Sequence, residues 1–433
     1  MTNDRESAAI GMKIVVHGLW HLGCVTAACC ARHFDVVALD PDEANIARLR
    51  SGRAPLREPG LDELIAAGLA QRTLQFTTEI AAACADADLL WLTFDTPVDG
   101  DDVSNAAYVL TEARRSLAHL QPDASVLISS QLPVGSTRIL EAEFPRLHFA
   151  YSPENLRLGQ ALEAFSRAER VIIGTRTTAS HEQLGRLFAP FTSRVIFMRT
   201  ESAEMVKHAL NSFLALSIAF INEIARLCEH TGADAGEVSL GLKSEPRIGP
   251  RAYLGPGGPF AGGTLARDVV TLTTLATEKG ESLAVIPAIK RSNDQHRHWA
   301  FNCVRGQLQD VCGSVVAVLG LVYTPGTDTL RRSAALELCR NLLAAGAHVH
   351  AFDPAVSELP SEFSAVTCAP SAVDAMRGAD AVIVCTEWPE FRAVDWPVAV
   401  QSMRRRLVID ANRFLEKQLA AADGVQFLSV GRA

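Results

Sequence analysis

The chain has 433 residues, 48% hydrophobic and 21% charged, the balance of a globular protein of two or three domains. Its net charge of -8 argues against a nucleic-acid-binding surface but leaves room for a local basic pocket holding an anionic small molecule. No uninterrupted apolar run reaches the ~18–20 residues of a membrane span, and the first ten residues lack the basic and apolar regions of a secretory signal. The ten cysteines are scattered without a Cys-x-x-Cys pair, so the expectation is a reduced, cytoplasmic protein with neither membrane nor nucleic acid as partner.

In chain order, Lys13–His17 is a short apolar run ending in Gly18, and Leu22–Arg32 reads as a helix. Phe34–Asp40 is a second strand that ends in an acid, and Ala87–Phe94 and Ser125–Ser130 follow as strands around the helical stretch Ala106–Leu120. Short apolar runs alternating with helices predict a parallel sheet covered on both faces. From Glu201 to about Gln307 the pattern is nearly all helical. Met205–His230 runs without Gly or Pro and keeps apolar residues at helical spacing, which predicts a long spine joining two domains and two subunits. Ser244–Gly263 is a Gly- and Pro-rich loop. A second unit of the first type begins near Val315: strands Val315–Gly320, His348–Asp353, Ala379–Cys385 and Leu407–Asp410, with a helix over Ala334–Ala345. The predicted fold is α/β, with an N-terminal Rossmann-type domain (11–200), a central all-helical dimerisation domain (201–310) and a C-terminal Rossmann-like domain (311–433).

Gly18-Leu-Trp-His-Leu-Gly23 follows a strand and opens a helix, and Asp40 closes the next strand about 20 residues on. This is the arrangement in which helix N-terminal amides hold a pyrophosphate and a carboxylate takes the ribose hydroxyls. The acid favours NAD over NADP. Gly18, Trp20, His21, Leu22, Gly23 and Asp40 are the cofactor-binding candidates. Trp20 stands where a glycine normally lets the backbone approach the pyrophosphate, so it crowds that approach.

Longer strings resemble the UDP-glucose/GDP-mannose dehydrogenase family over nearly the whole chain, from Lys13 to about Leu415. They are Gly52-Arg-Ala-Pro-Leu-Arg-Glu-Pro-Gly-Leu61, Thr96-Pro97, Leu132-Pro-Val-Gly135, Ser152-Pro-Glu154, Glu204-Met-Val-Lys207-His-Ala-Leu-Asn211, Arg247-Ile-Gly249 and Thr386-Glu-Trp388 with Phe391. The resemblance implies NAD as cofactor, a nucleotide sugar as substrate and a homodimer built on the central helix. It adds Thr96 and Gln131 to the cofactor site. It places substrate against Glu154, Leu156, Arg157, Lys207, Asn211, Arg247, Tyr253, Gly262 and Tyr323, with Arg247 reaching the sugar nucleotide of a neighbouring subunit. No metal is implied.

The departures gather at the chemistry. Gly257-Gly-Pro-Phe-Ala-Gly-Gly-Thr264-Leu-Ala-Arg-Asp268 resembles the family's active-site segment, but Thr264 occupies the position of the cysteine that forms a thiohemiacetal and then a thioester. A hydroxyl is a far poorer nucleophile than a thiolate unless a base activates it. Cys228 cannot substitute, since it lies about six helical turns beyond Lys207. Gln131 replaces a Thr, Leu158 a Glu, Ala266 and Arg267 a Pro and a Lys, and Thr324 a Lys.

Lys207 and Asn211 are four residues apart and share one helix face, where they can hold a water or an alkoxide as hydride leaves a carbinol carbon. Asp268 can orient Lys207 or a water, Glu154 can act as general base, and Thr264 is an inert loop residue, an orienting hydroxyl or a nucleophile. The leading expectation is therefore a two-electron, NAD-dependent alcohol/carbonyl reaction. Two alternatives stay open: UDP-glucose oxidation through a hydrated aldehyde without a covalent intermediate, and a non-catalytic nucleotide-binding protein.

Overall fold

The computed structural model describes residues 11–99, 102–154, 156–178, 180–260 and 264–432. Its contacts divide the chain into two compact units, one ending at Leu210 and the other beginning at Asn211.

The first unit is an eight-stranded sheet of β1 (Lys13–His17), β2 (Asp35–Leu39), β3 (Leu74–Thr77), β4 (Leu89–Leu92), β5 (Ser125–Ile128), β6 (His148–Tyr151), β7 (Val171–Thr175) and β8 (Val195–Met198). Their spatial order is β3-β2-β1-β4-β5-β6-β7-β8. The central strands β1, β4 and β5 are buried along almost their whole length because helices cover both faces, which is why they read as continuous apolar runs. The sheet departs from the expected parallel form at one place, where β6 and β7 pair antiparallel. The connection between them holds only the six-residue helix Ala161–Ser166, too short to carry the chain back along the sheet as a parallel crossover requires. The helix His21–Cys30 is apolar on every side, and its residues from Leu22 onward are all buried. Its Gly23 lies so close to Gly18 O that a Cβ could not be accommodated.

One helix runs from Thr200 to Thr231, 32 residues against the expected Met205–His230. Its most apolar stretch has a mean hydropathy of 1.3. By length and composition it therefore reaches the range of a membrane-crossing segment, contrary to the expectation from the sequence, because its charged residues are too sparse to lower the average. Of that stretch, 44% is buried inside the chain.

The second unit contains the helices Ala235–Ser244, Leu265–Glu278, Val285–His296 and Trp299–Leu308, followed by a six-stranded parallel sheet. Its strands are β9 (Val315–Leu319), β10 (His348–Phe352), β11 (Thr367–Cys368), β12 (Ala381–Val384), β13 (Leu407–Asp410) and β14 (Gln426–Leu428), in the order β11-β10-β9-β12-β13-β14. Its five-strand order around β9 repeats the order around β1. The positions of Gly18 and Gly320 repeat too: both have positive φ, +101° and +86°, and both donate an amide to the end of the next strand, Leu39 O and Phe352 O.

Candidate active site

At the end of β1 the chain turns through Gly18, where the close approach of Phe94 leaves no room for a Cβ. Trp20 is the N-cap residue of His21–Cys30 and accepts the amide of Cys24 at 2.9 Å. No side chain caps this helix, so its first amides point toward the loop, as an anion-binding N-terminus requires. Trp20 is 40% exposed. Asp40 accepts the Leu19 amide at 2.6 Å and the Asp42 amide at 3.0 Å. Burial raises its pKa above the ordinary value despite those bonds. Thr96 and Gln131, both buried, are joined by the Thr96 hydroxyl donating to Gln131 O at 2.5 Å. The glycine cradle, the uncapped helix and the acid suit a dinucleotide.

Also in the first unit, the Lys207 ammonium donates to Glu154 O at 2.5 Å and to Glu154 Oε1 at 3.2 Å. Lys207 is 4% exposed, so the pair is shielded. Glu154 Oε2 accepts the amide of Leu156 at 2.8 Å, which folds the segment back on itself. Arg157 is exposed and Leu156 partly buried. Glu204, fully buried, accepts the amides of Gly135 and Thr137 and the Thr137 hydroxyl, holding the Val-Gly turn against the long helix.

In the second unit the Asn211 amide donates to Asp268 Oδ2 at 2.5 Å, and both residues are almost wholly buried. Asp268 lies in the first turn of Leu265–Glu278, where a helix N-terminus favours a carboxylate. Thr264 is the N-cap residue of that helix, is exposed, and makes no capping bond through its side chain. Gly262 lies outside the described residues. Arg247 is exposed and pairs with Glu245 at 2.8 Å, and Tyr253 and Tyr323 are both exposed.

The sequence reading missed what holds the Gly-rich loop. Asn222 accepts the Gly257 amide at 3.0 Å, Asn412 accepts that of Gly258 at 2.7 Å, and Asn293 bonds both backbone groups of Phe260. His296 meets Gly257 O at 2.7 Å through Nε2. Burial, aided by nearby Arg226, holds its pKa below the ordinary value although the Gly257 bond acts the other way. Three asparagines and a histidine spread over the sequence carry no local signal.

The eight cysteines that burial perturbs, Cys24, Cys29, Cys30, Cys84, Cys303, Cys339, Cys368 and Cys385, all have raised pKa values. Cys29 and Cys84 reach about 11, and Cys303 and Cys339 about 12. Such thiols are inert near neutrality.

A glycine turn opening an uncapped helix, an acid on the next strand and a helix carrying Lys207 and Asn211 define an NAD-dependent dehydrogenase acting on CH–OH donors. The chain belongs to the UDP-glucose/GDP-mannose dehydrogenase family. The family's NAD-binding domain matches residues 12–192, its central domain 201–295 and its UDP-binding domain 317–417. The chain is 33% identical over 437 residues to the UDP-glucose 6-dehydrogenase of Rhizobium meliloti, covering 97% of this chain and 100% of that one. It is 34% identical over 447 residues to the Pseudomonas aeruginosa enzyme of the same name, covering 97% and 98%. The structure of a UDP-glucose dehydrogenase from Pyrobaculum islandicum superposes with a TM-score of 0.90 at 28% identity, covering all of both chains. That of a UDP-D-ManNAc dehydrogenase from Pyrococcus horikoshii gives 0.84 at 26% identity, covering 97% and 99%.

Proposed function

We propose that this chain oxidises a carbinol carbon of a nucleotide sugar by two electrons and stops at the carbonyl, or runs the reverse reaction. The observation that carries this reading is Thr264: an exposed hydroxyl at a helix N-cap, where the family's active-site string has a thiolate. NAD, when bound, accepts the hydride. The helix amides from His21 to Gly23 and the Asp40 carboxylate would hold it, with Thr96 and Gln131 completing the cofactor set. Lys207 and Asn211 stabilise the alkoxide from which hydride departs. Glu154, paired with Lys207, takes the hydroxyl proton. Asp268 fixes the Asn211 amide. A uridine nucleotide is the favoured carrier because the C-terminal match is a UDP-binding domain. Leu156, Arg157, Arg247, Tyr253, Gly262 and Tyr323 complete the substrate set.

The test is NADH formed per substrate consumed across a panel of nucleotide sugars, with Thr264→Cys run beside the natural chain. One NADH per substrate, rising toward two in the variant, is expected. Two NADH from the natural chain would overturn the proposal and favour the hydrated-aldehyde route to an acid.

Oligomeric state and location belong to the same proposal. Phe213, Phe220 and Leu227 are seven residues apart along the long helix and 68%, 44% and 62% exposed. A seven-residue spacing lines them up on one face, which suits a second copy of the same helix. All ten cysteines are free, which supports a reducing compartment such as the cytoplasm.

A further inference from the structure

Glu58 has no part in the chemistry above, yet its side chain is only 1% exposed. Its Oε2 lies 2.8 Å from His21 Nε2 and accepts the Gly159 amide at 2.8 Å, while Oε1 accepts the Ala161 amide at 2.9 Å. Burial alone would raise its pKa, but the bonds from His21, Gly159 and Ala161 outweigh it and hold the carboxyl below its ordinary value. An anion buried in this way is costly unless all its partners stay in place.

Those partners come from two segments with different duties. His21 is the first residue of the helix whose N-terminus suits the cofactor pyrophosphate. Gly159 and Ala161 sit at the entry to Ala161–Ser166, directly after Glu154, Leu156 and Arg157. The two segments also pack together: Cys29 Sγ lies 3.7 Å from Ser166 Oγ, and Ala161 is fully buried. The Glu-Pro-Gly turn that carries Glu58 fits beneath them because Gly60 adopts φ +81°, and a Cβ there would press on Leu162 at 3.3 Å.

We propose that Glu58 is a positioning residue that ties the order of the Glu154 segment to occupancy of the cofactor helix. A dinucleotide on the first amides of His21–Cys30 restrains the His21 backbone. The imidazole then holds the Glu58 carboxylate, and the carboxylate holds the Gly159 and Ala161 amides. Because coupling is reciprocal, a sugar nucleotide that orders the Glu154 segment tightens NAD binding by the same factor. That second half rests on the nucleotide-sugar reading above. The first half needs only NAD.

The test is amide hydrogen exchange over residues 154–166 of the full chain, with and without NAD saturating by each protein's own calorimetric titration. In the natural chain NAD should slow exchange at Gly159 and Ala161 by on the order of ten-fold, a typical coupling. Glu58→Gln keeps the size but presents an NH2 where one of the three donors was accepted. It should bind NAD yet lose the slowing. His21→Phe, compared at its own saturation, should lose it too, and decides the matter if Glu58→Gln does not fold. Slowing that persists in both variants, or is absent in the natural chain despite bound NAD, overturns the proposal. Failure of the natural chain to bind NAD in the titration overturns it together with the cofactor assignment. A normal exchange result with no turnover on any nucleotide sugar leaves the Glu58 link standing and overturns the substrate reading instead.

Discussion

Lys207 is a buried ammonium that donates to the backbone carbonyl and to the carboxylate of Glu154. A cation in so shielded a place acts on developing negative charge far more strongly than it would in water. Lys207→Ala should therefore lower kcat by about 10²–10⁴-fold. Calorimetric NAD affinity should stay within a few-fold, because the cofactor contacts proposed above are the helix amides and Asp40. Unchanged kcat would remove Lys207 from the chemistry. The sequence placed Lys207 and Asn211 on one helix face by spacing alone. It did not reveal that Glu154 and Asp268 supply their separate partners, because each bond joins residues more than 50 positions apart.

At the scale of an element, the long helix combines two tasks. Its buried residues pack into the chain, with Ala215 and Ala219 against Phe260 and Val269 in one small core. Its line of Phe213, Phe220 and Leu227 faces outward. Substituting Phe220 by Glu puts a charge on the proposed dimer face and should convert a dimer to monomer in sedimentation equilibrium, with the helical circular dichroism unchanged. A natural chain that sediments as a monomer would remove the seam. The helix itself was legible from its unbroken 3.6-residue pattern. Its five additional N-terminal residues, Thr200 to Glu204, and the antiparallel return at β6 and β7 were not, since ends and pairing directions depend on what the neighbouring segment buries.

Across the whole molecule, the two sheets repeat one plan but differ in how each spends its acid. Asp40 at the end of β2 accepts two backbone amides, from Leu19 and Asp42. Asp353 after β10 accepts amides from Leu321, Val322 and Ala355 as well as the Trp388 indole, so its carboxylate is fully occupied. The second unit is further tied by Arg413, which donates to both oxygens of Asp234, the N-cap residue of Ala235–Ser244. Burial would raise the Asp234 pKa, but Arg413 and the Gly236 amide prevail and lower it from 3.8. A depressed carboxyl contributes stability above its unfolded pKa and loses it as pH falls through the folded value. Arg413→Ala should thus cost about 1 kcal/mol at neutral pH, near the upper end for a solvent-accessible pair. The gap between variant and natural chain should close as the pH drops below 3.8 in acid-unfolding curves. A gap that persists there would trace the loss to packing of the arginine stem instead.

The amino-acid sequence by itself determined the alternation of strands and helices, the glycine turn with its acid, the spine helix and the family. These depend on local periodicity and on motifs whose residues lie close together along the chain. Tertiary structure alone decided the bond from Asn211 to Asp268, the clamp on Gly257–Phe260 and the burial of Glu58 among His21, Gly159 and Ala161. Each of these joins segments that lie more than 30 residues apart along the chain. The hydrogen-bond demand of a buried polar group selects its partner by position in space, and no spacing rule along the chain records that choice.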